Sequence, residues 1–447
     1  MDLEGYAKEF LKKGENEIDT KNKLVDRILE IKTISRVKAK QIAEAILIEA
    51  KTTLNVEGDV LTSTLSGVCM GEFGVGSRGK GDFHVHEQIA EIIGKTNAVI
   101  DSSHLDDAGV MKLDDGKYIL MTVDGMHSRL SDFPFLAGFH DARAALRDIY
   151  VMGSHPIALF SDIHVADDGD VAKIFDHIAG ITAISKLTGV PLITGSTLRI
   201  GGDVVIGTRM SGCVGALGVA ANLTPRKFAQ EGDVILMTEG SGGATISTTA
   251  LYNGMHEVVN ETLNVKFFDA CRSLINSNLI SKIHAMTDIT NGGIRGDASE
   301  ISKIAGVKLV FDDNKLRRLV NDRVLEMLEK LEIDYLGVSL DALLIIARPE
   351  YANEIIECIR KQDVEIDIVG RVEEGKGVEI IINDDVHDLT PRFRESAYTP
   401  IKKVIGENTP EDFDYMKSQI NYAAKMSIEK RERVIEQIRD KISSYKN

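Results

Sequence analysis

Two adjacent carboxylates, Asp106 and Asp107, stand in the stretch LDDAGV, a polar loop leading into an apolar run. Like charges this close repel unless a cation neutralises them, and a hard metal ion is the natural partner. A solvated Asp-Asp turn is the plain alternative for the dipeptide taken alone. Three further features favour the cation: Asp124 closes KYILMTVDG, Asp148 lies on a helical stretch ending at MGSHP, and a lysine-bearing glycine loop precedes them all. Oxygen ligands from a loop, a strand end and a helix suit Mg²⁺, which keeps waters and is completed by substrate phosphates. The chemistry expected of such a set is phosphoryl transfer.

The loop itself runs from Gly67 to Asp82, GVCMGEFGVGSRGKGD, too rich in glycine to form a regular element over most of its length. Glycines such as Gly76 and Gly79 let backbone N–H groups approach phosphate oxygens, and Ser77, Arg78 and Lys80 add side-chain donors. The pattern is not a GxxxxGK[ST] phosphate loop, because no Ser or Thr follows Lys80, and a flexible connector is the alternative. Eight of the 11 histidines fall between His84 and His177, which raises a transition-metal site. No HExxH-like pair accompanies them, and scattered capping histidines are the plainer reading.

These residues need elements to hold them. KYILMTVDG reads as a strand, Phe139 to Met152 and Val171 to Thr188 as helices, and PLITGSTLRIGGDVVIGTRMSG as strand, glycine turn and strand. A second unit opens at GDVILMTEGSGGATIS and continues through HAMTDITNGG, DALLIIA, IDIVGRV and VEIIIN, strand-like runs separated by helices. Leu24 to about Lys51 carries apolar residues at helical spacing, an extension that covers the main domain or a neighbouring subunit. From Thr409, TPEDFDYM supplies a cap, a Pro and an acidic first turn for a polar terminal helix. The expected organisation is a helical extension over 1–66, an α/β unit over 67–228, a second over 229–400 and a helical tail over 401–447.

Composition excludes several classes. A chain of 447 residues with 43% hydrophobic and 27% charged residues is that of a folded globular protein. Its net charge of −16 repels a phosphate backbone or an anionic bilayer, so neither nucleic acid nor membrane is an expected partner. Four cysteines without a CxxC pair, a charged N-terminus and no long apolar stretch fit a reducing cytoplasm.

Six motifs then occur in a telling order: LDDAGV, TVDG, LRDIYVMGSHPIAL, LITGSTLRIGG, GDVILMTEGSGG and MTDITNGGI. Together they resemble the aminoimidazole ribonucleotide synthetase-like superfamily, over roughly Gly71 to Pro400. Its members include selenophosphate synthetase, thiamine-monophosphate kinase and a hydrogenase maturation dehydratase, and the chain is similar above all to selenophosphate synthetase-related proteins. The resemblance implies a mixed α/β (α+β) fold of two domains, here with helical extensions at both ends. It also implies a homodimer whose N-terminal sheets share a barrel, with ATP and Mg²⁺ near that interface. By the same resemblance Asp106, Asp107, Asp124 and Asp148 are the metal ligands and Lys80 and Asp107 the catalytic residues. Gly76, Ser77, Gly79, Lys80, Thr122, Gly195, Ser196 and Thr197 would hold the nucleotide, and Asp288 and Asn291 would face the acceptor.

Several positions depart from the family pattern. Ser77 stands where selenophosphate synthetases carry Cys or selenocysteine, and the chain ends SSYKN rather than in the cysteine of the dehydratase type. Ser196 stands where a carboxylate is usual, and His104 and Leu105 replace a glycine before the paired acids. The implied activity is ATP- and Mg²⁺-dependent phosphorylation or activation of a small, unidentified metabolite. A thiamine-monophosphate kinase-like activity and a non-catalytic nucleotide-binding scaffold stay as alternatives.

Overall fold

The computed structural model describes residues 1–395 and 397–444 of the chain. Three short helices open it, α1 (Leu3–Lys12), α2 (Glu17–Ile31) and α3 (Arg36–Leu54), and the side chains of Asp2, Asn16 and Ser35 cap them. The helical run read from Leu24 to Lys51 is thus broken between Ile31 and Arg36, where α2 ends and a new capped helix begins. Its stripe is covered by the chain itself: Leu3, Leu24, Ile28 and Ile46 form a small core with Ile206. Lys32 ties this bundle to the body through Asp167 and, at 2.6 Å, Asp168.

Residues 55–79 hold no regular element, and α4 (Lys80–Ile93) starts at the lysine expected inside the loop. Two glycines fix that junction by close approach. A Cβ on Gly79 would lie 2.2 Å from the Phe393 carbonyl oxygen, and one on Gly81 would lie 1.8 Å from that of Phe73.

The first sheet contains β1 (Gly109–Lys112), β2 (Tyr118–Gly125), β3 (His155–Val165), β4 (Leu192–Arg199) and β5 (Met210–Ala220), ordered β1-β2-β5-β3-β4. Helices α5 (Pro134–Val151) and α6 (Ala172–Thr188) lie between β2 and β3 and between β3 and β4 in the chain. Along β2 the pleat alternates: Leu120 is buried while Met121 and Val123 are exposed, which leaves one face of the sheet bare.

The second sheet contains β6 (Val234–Thr238), β7 (Ile283–Asp288), β8 (Lys308–Asp312), β9 (Leu343–Ala347), β10 (Ile366–Glu373), β11 (Gly377–Ile382) and β12 (Asp385–Asp388). Their order is β12-β11-β8-β10-β6-β9-β7. Every residue of β9 is buried, because the sheet is covered on both sides. On one side pack α7 (Ala244–Tyr252), α9 (Gly293–Ala305), α10 (Asp313–Arg318) and α11 (Asp322–Lys330), with Ile294, Ile301, Leu316 and Met327 in one core. On the other, α8 (Lys266–Asn276) and α12 (Pro349–Arg360) share a core with α5, where Leu146 and Ile149 join Phe268, Met286 and Ile345. Helix α5 is therefore clamped between the two sheets, and its polar residues face the seam.

The tail holds a helix the sequence does not announce, α13 (Pro400–Ile405), and the long α14 (Phe413–Ser444). The latter begins three residues beyond the expected Pro410, where Phe413 can pack against Phe73 and Phe393, each with ring centroids 5.3 Å away. It runs along α4, with His84 Nε2 and Asn421 Oδ1 2.7 Å apart. No helix among the described residues is long and apolar enough to cross a membrane.

Candidate active site

A cavity of about 1010 Å³ opens at the seam and is lined by Asp106, Asp107, Thr122, Asp124, Asp148 and Asn291, among others. The four acids arrive from three elements. Asp106 and Asp107 come from the loop before β1, Asp124 and Thr122 from the inward face of β2, and Asp148 from the last turn of α5, where it accepts a 2.7 Å hydrogen bond from the Thr122 hydroxyl.

Leu105, just before the acid pair, sits at φ 50°, ψ 42°, in the left-handed region where glycine is at ease. The departure from a family glycine is real in the backbone, since a leucine there carries about 1 kcal/mol of strain.

Four arginines answer the acids. Arg226, in the segment between the sheets, donates from Nη2 to Asp107 Oδ1 at 2.6 Å and from its backbone N–H to Asp106 Oδ2 at 3.2 Å. Its other amino group reaches Glu300 at 2.6 Å. Arg78 of the glycine loop donates to the Asn291 carbonyl at 3.2 Å and to Glu300 at 3.2 Å. Arg147 of α5 binds Asp288 at 2.8 Å, and both Arg143 and Arg147 reach Asp341. Asp288 is fully buried behind the cavity wall.

The compensation is incomplete. Asp107 Oδ2, Asp141 Oδ2, Asp288 Oδ1 and Asn291 Oδ1 are buried without a hydrogen-bond partner. Burial pushes the Asp107 carboxyl well above its usual range, against the pull of Arg226 and with added repulsion from Asp288 and Asp106. Burial does the same to Asp148, which also feels Asp288, Asp124 and Asp107, and it raises Asp106 and Asp124 more mildly. Orphaned hard oxygens under mutual repulsion are a donor set that fits Mg²⁺. Among the described residues no three Asp, Glu, His or Cys side chains converge closely enough to hold an ion unaided. An ion here would take one or two carboxylates and complete its shell with water and phosphate.

Other expected residues fall elsewhere. Gly76 lines the cavity, but the Ser77 hydroxyl turns back to the Gly74 carbonyl and Gly79 presses on Phe393. Lys80 lines a separate cavity, and Arg78 is the loop cation at the acids. Gly195, Ser196 and Thr197 lie exposed on edge strand β4, with Ser196 opposite Asp162 of β3, and none lines the acid cavity. The histidines do not gather: His140 meets Ser247 at 2.9 Å, His127 meets Tyr398 at 3.1 Å, and His177 lies 3.7 Å from Asp141. Arg226 and Asp141 escaped the sequence reading. Only charge balance could have signalled Arg226, since four buried acids require nearby cations.

Comparison with known proteins shows what the chain is similar to. Residues 105–217 match the model of the AIR synthase related protein, N-terminal domain, and residues 230–383 that of the C-terminal domain. An uncharacterised protein of Methanocaldococcus jannaschii is 53% identical over 100% of both chains. A thiamine-monophosphate kinase of Pyrococcus horikoshii is 26% identical over 64% of this chain and 87% of its own length. The structure described as AaThiL complexed with AMPPCP and TMP superposes with a TM-score of 0.52 at 18% identity, covering 68% of this chain and 93% of that one. With eleven of the twelve strands among the described residues falling wholly or mostly in the matched segments, the chain belongs to the AIR synthase related family.

Proposed function

We propose that the chain is an ATP- and Mg²⁺-dependent enzyme that transfers a phosphoryl group to a small-molecule acceptor. The observation that carries this reading is the quartet Asp106, Asp107, Asp124 and Asp148, which lines one cavity with Asp107 Oδ2 left unpartnered. Support comes also from the kinase named among the relatives and from the AMPPCP in the similar ThiL structure.

Mg²⁺, when bound, would neutralise phosphate charge and orient the reacting oxygens. This chain's own residues do the rest. Arg226 holds Asp106 and Asp107 at a fixed spacing, and Thr122 holds Asp148, so the carboxylates are positioned before a nucleotide arrives. Arg78 presents the cation of the glycine loop at the cavity wall, where charge develops as the terminal phosphoryl group moves. In that step an acceptor oxygen bonds to the γ-phosphorus, the bond to the β-phosphate oxygen breaks, and ADP departs. Asp107 and Asn291, each with a free oxygen, are the groups left to orient the reacting partners. Lys80 serves the acceptor rather than the nucleotide.

The bare face of the first sheet, with Met121 and Val123 exposed, supports a homodimer built sheet to sheet. The test is calorimetric titration of ATP with and without Mg²⁺, on the native chain and on Asp107→Asn. Mg²⁺-dependent binding that Asp107→Asn abolishes is expected; undiminished binding by the variant overturns the assignment.

A further inference from the structure

Beside the acid cavity lies a second, open one of about 370 Å³, whose walls include Lys80, Phe83, Leu105, Phe413 and Lys417. Leu105 and Glu300 line both cavities, so the two are neighbours across a thin partition. The strained leucine is thus placed where its side chain divides them. Lys80, Phe83, Phe413 and Lys417 all lie outside the segments that match the two family domains.

Its charges can be followed one by one. Lys303 is taken by Glu87, and Lys417 by Asp414 at 2.7 Å. Glu300 is more than balanced, by Arg226 at 2.6 Å and Arg78 at 3.2 Å. Among the described residues nothing pairs with the Lys80 ammonium, which stands at the first turn of α4, where the helix dipole adds partial positive charge. One uncommitted positive charge therefore sits over a floor of two phenylalanines, a leucine and Pro391. That combination recognises a molecule with one negative charge and an apolar body.

The geometry points to a binding site for a small carboxylic acid with an aromatic or branched apolar body. Its carboxylate pairs with Lys80 and its body packs between Phe83 and Phe413. Building on the phosphotransfer reading, the site holds this acid beside the nucleotide cavity, one side chain away.

The probe is 4-fluorophenylacetate, followed by ¹⁹F NMR, with neutral 2-(4-fluorophenyl)ethanol as the uncharged comparison. The native chain binds the acid and binds the alcohol at least tenfold more weakly. Lys80→Gln, a change at an exposed helix start, weakens the acid at least tenfold and leaves the alcohol unchanged, while Lys80→Arg restores it. Equal binding of acid and alcohol, or loss of less than twofold in Lys80→Gln, overturns the proposal. Phe413→Leu, which keeps an apolar side chain against Phe73, must also weaken the acid. The two readings separate in Asp107→Asn: it loses ATP binding and keeps the probe. A native chain that binds the probe but no ATP refutes phosphotransfer and keeps the pocket; the converse refutes the pocket.

Discussion

Arg226 Nη2 lies 2.6 Å from Asp107 Oδ1, and both side chains are buried at the floor of the acid cavity. The same guanidinium serves Glu300 and the Thr287 hydroxyl, so a single cation ties the acid loop to β7 and α9. Removing one partner of such a buried pair is far costlier than replacing both, because the remaining charge has neither water nor a counterion.

Arg226→Gln should therefore lower the unfolding free energy by about 3–5 kcal/mol, measured by urea denaturation in EDTA. Repeating the measurement with millimolar MgCl2 should recover part of the loss and raise the variant's midpoint more than that of the native chain. Equal shifts with Mg²⁺ in both proteins would show that the carboxylates do not hold the ion.

Asp297, which shares the Arg226 guanidinium with Asp107, gives a pH signature. Burial pushes its carboxyl up to about 7, against the pull of Arg226 and Arg78. A carboxyl raised in the folded state is protonated there while the unfolded chain has already lost the proton. Its contribution is thus present at acid pH and lost as pH rises from about 4 to 7. His127 and His177, pushed down by burial to about 4, act in the opposite sense below pH 6.5, so the native curve alone mixes both. Asn at position 297 keeps the acceptor for the Thr290 N–H and removes the titration. The melting temperature of Asp297→Asn minus that of the native chain should rise from pH 5 to about pH 7 and then level off; a flat difference would place the Asp297 carboxyl in its ordinary range.

The sequence was readable where periodicity and local chemistry agree. In β2 the alternation that buries Leu120 also turns Thr122 and Asp124 inward, and the continuous apolar run of β9 is a strand covered on both sides. What escaped depends on residues far apart in the chain. Lys80 looks like a loop cation until Gly79 is found pressed on the carbonyl of Phe393, which starts α4 there and turns the lysine toward α14. Arg226 stands in a connector with no periodic signal, and only the folded seam brings it to Asp107. Ser196 lies away from the acids because β5 and β3 separate edge strand β4 from β2, and spacing along the chain says nothing about strand order.

Val123 tests the bare sheet face. It is 60% exposed in the single chain, at the rim of the acid cavity between the inward Thr122 and Asp124. Val123→Glu should leave the melting curve at low concentration within about 0.5 kcal/mol of native, as surface substitutions do. It should shift the mass seen by light scattering from dimer to monomer, since a sheet-to-sheet contact would bury an unpaired carboxylate. A dimer that survives the substitution would move the interface to another surface.

The terminal helix gives the last prediction. Phe413 wedges between Phe73 and Phe393, Arg431 donates to the Ile92 carbonyl, and Arg433 pairs with Asp59 at 2.7 Å. Besides Phe393, these contacts bear on α4 and on residues 55–79, a stretch with no regular element of its own. Opening of such a segment is governed by the contacts that hold it rather than by global unfolding. Phe413→Ala should thus speed amide exchange in residues 66–79 at least tenfold while β6 and β9 keep native protection. Uniform acceleration across the chain would mean that the phenylalanine supports the whole fold, and no acceleration would mean that the loop is held by Arg394, which donates to the Gly71 and Glu72 carbonyls at 2.6 and 2.7 Å.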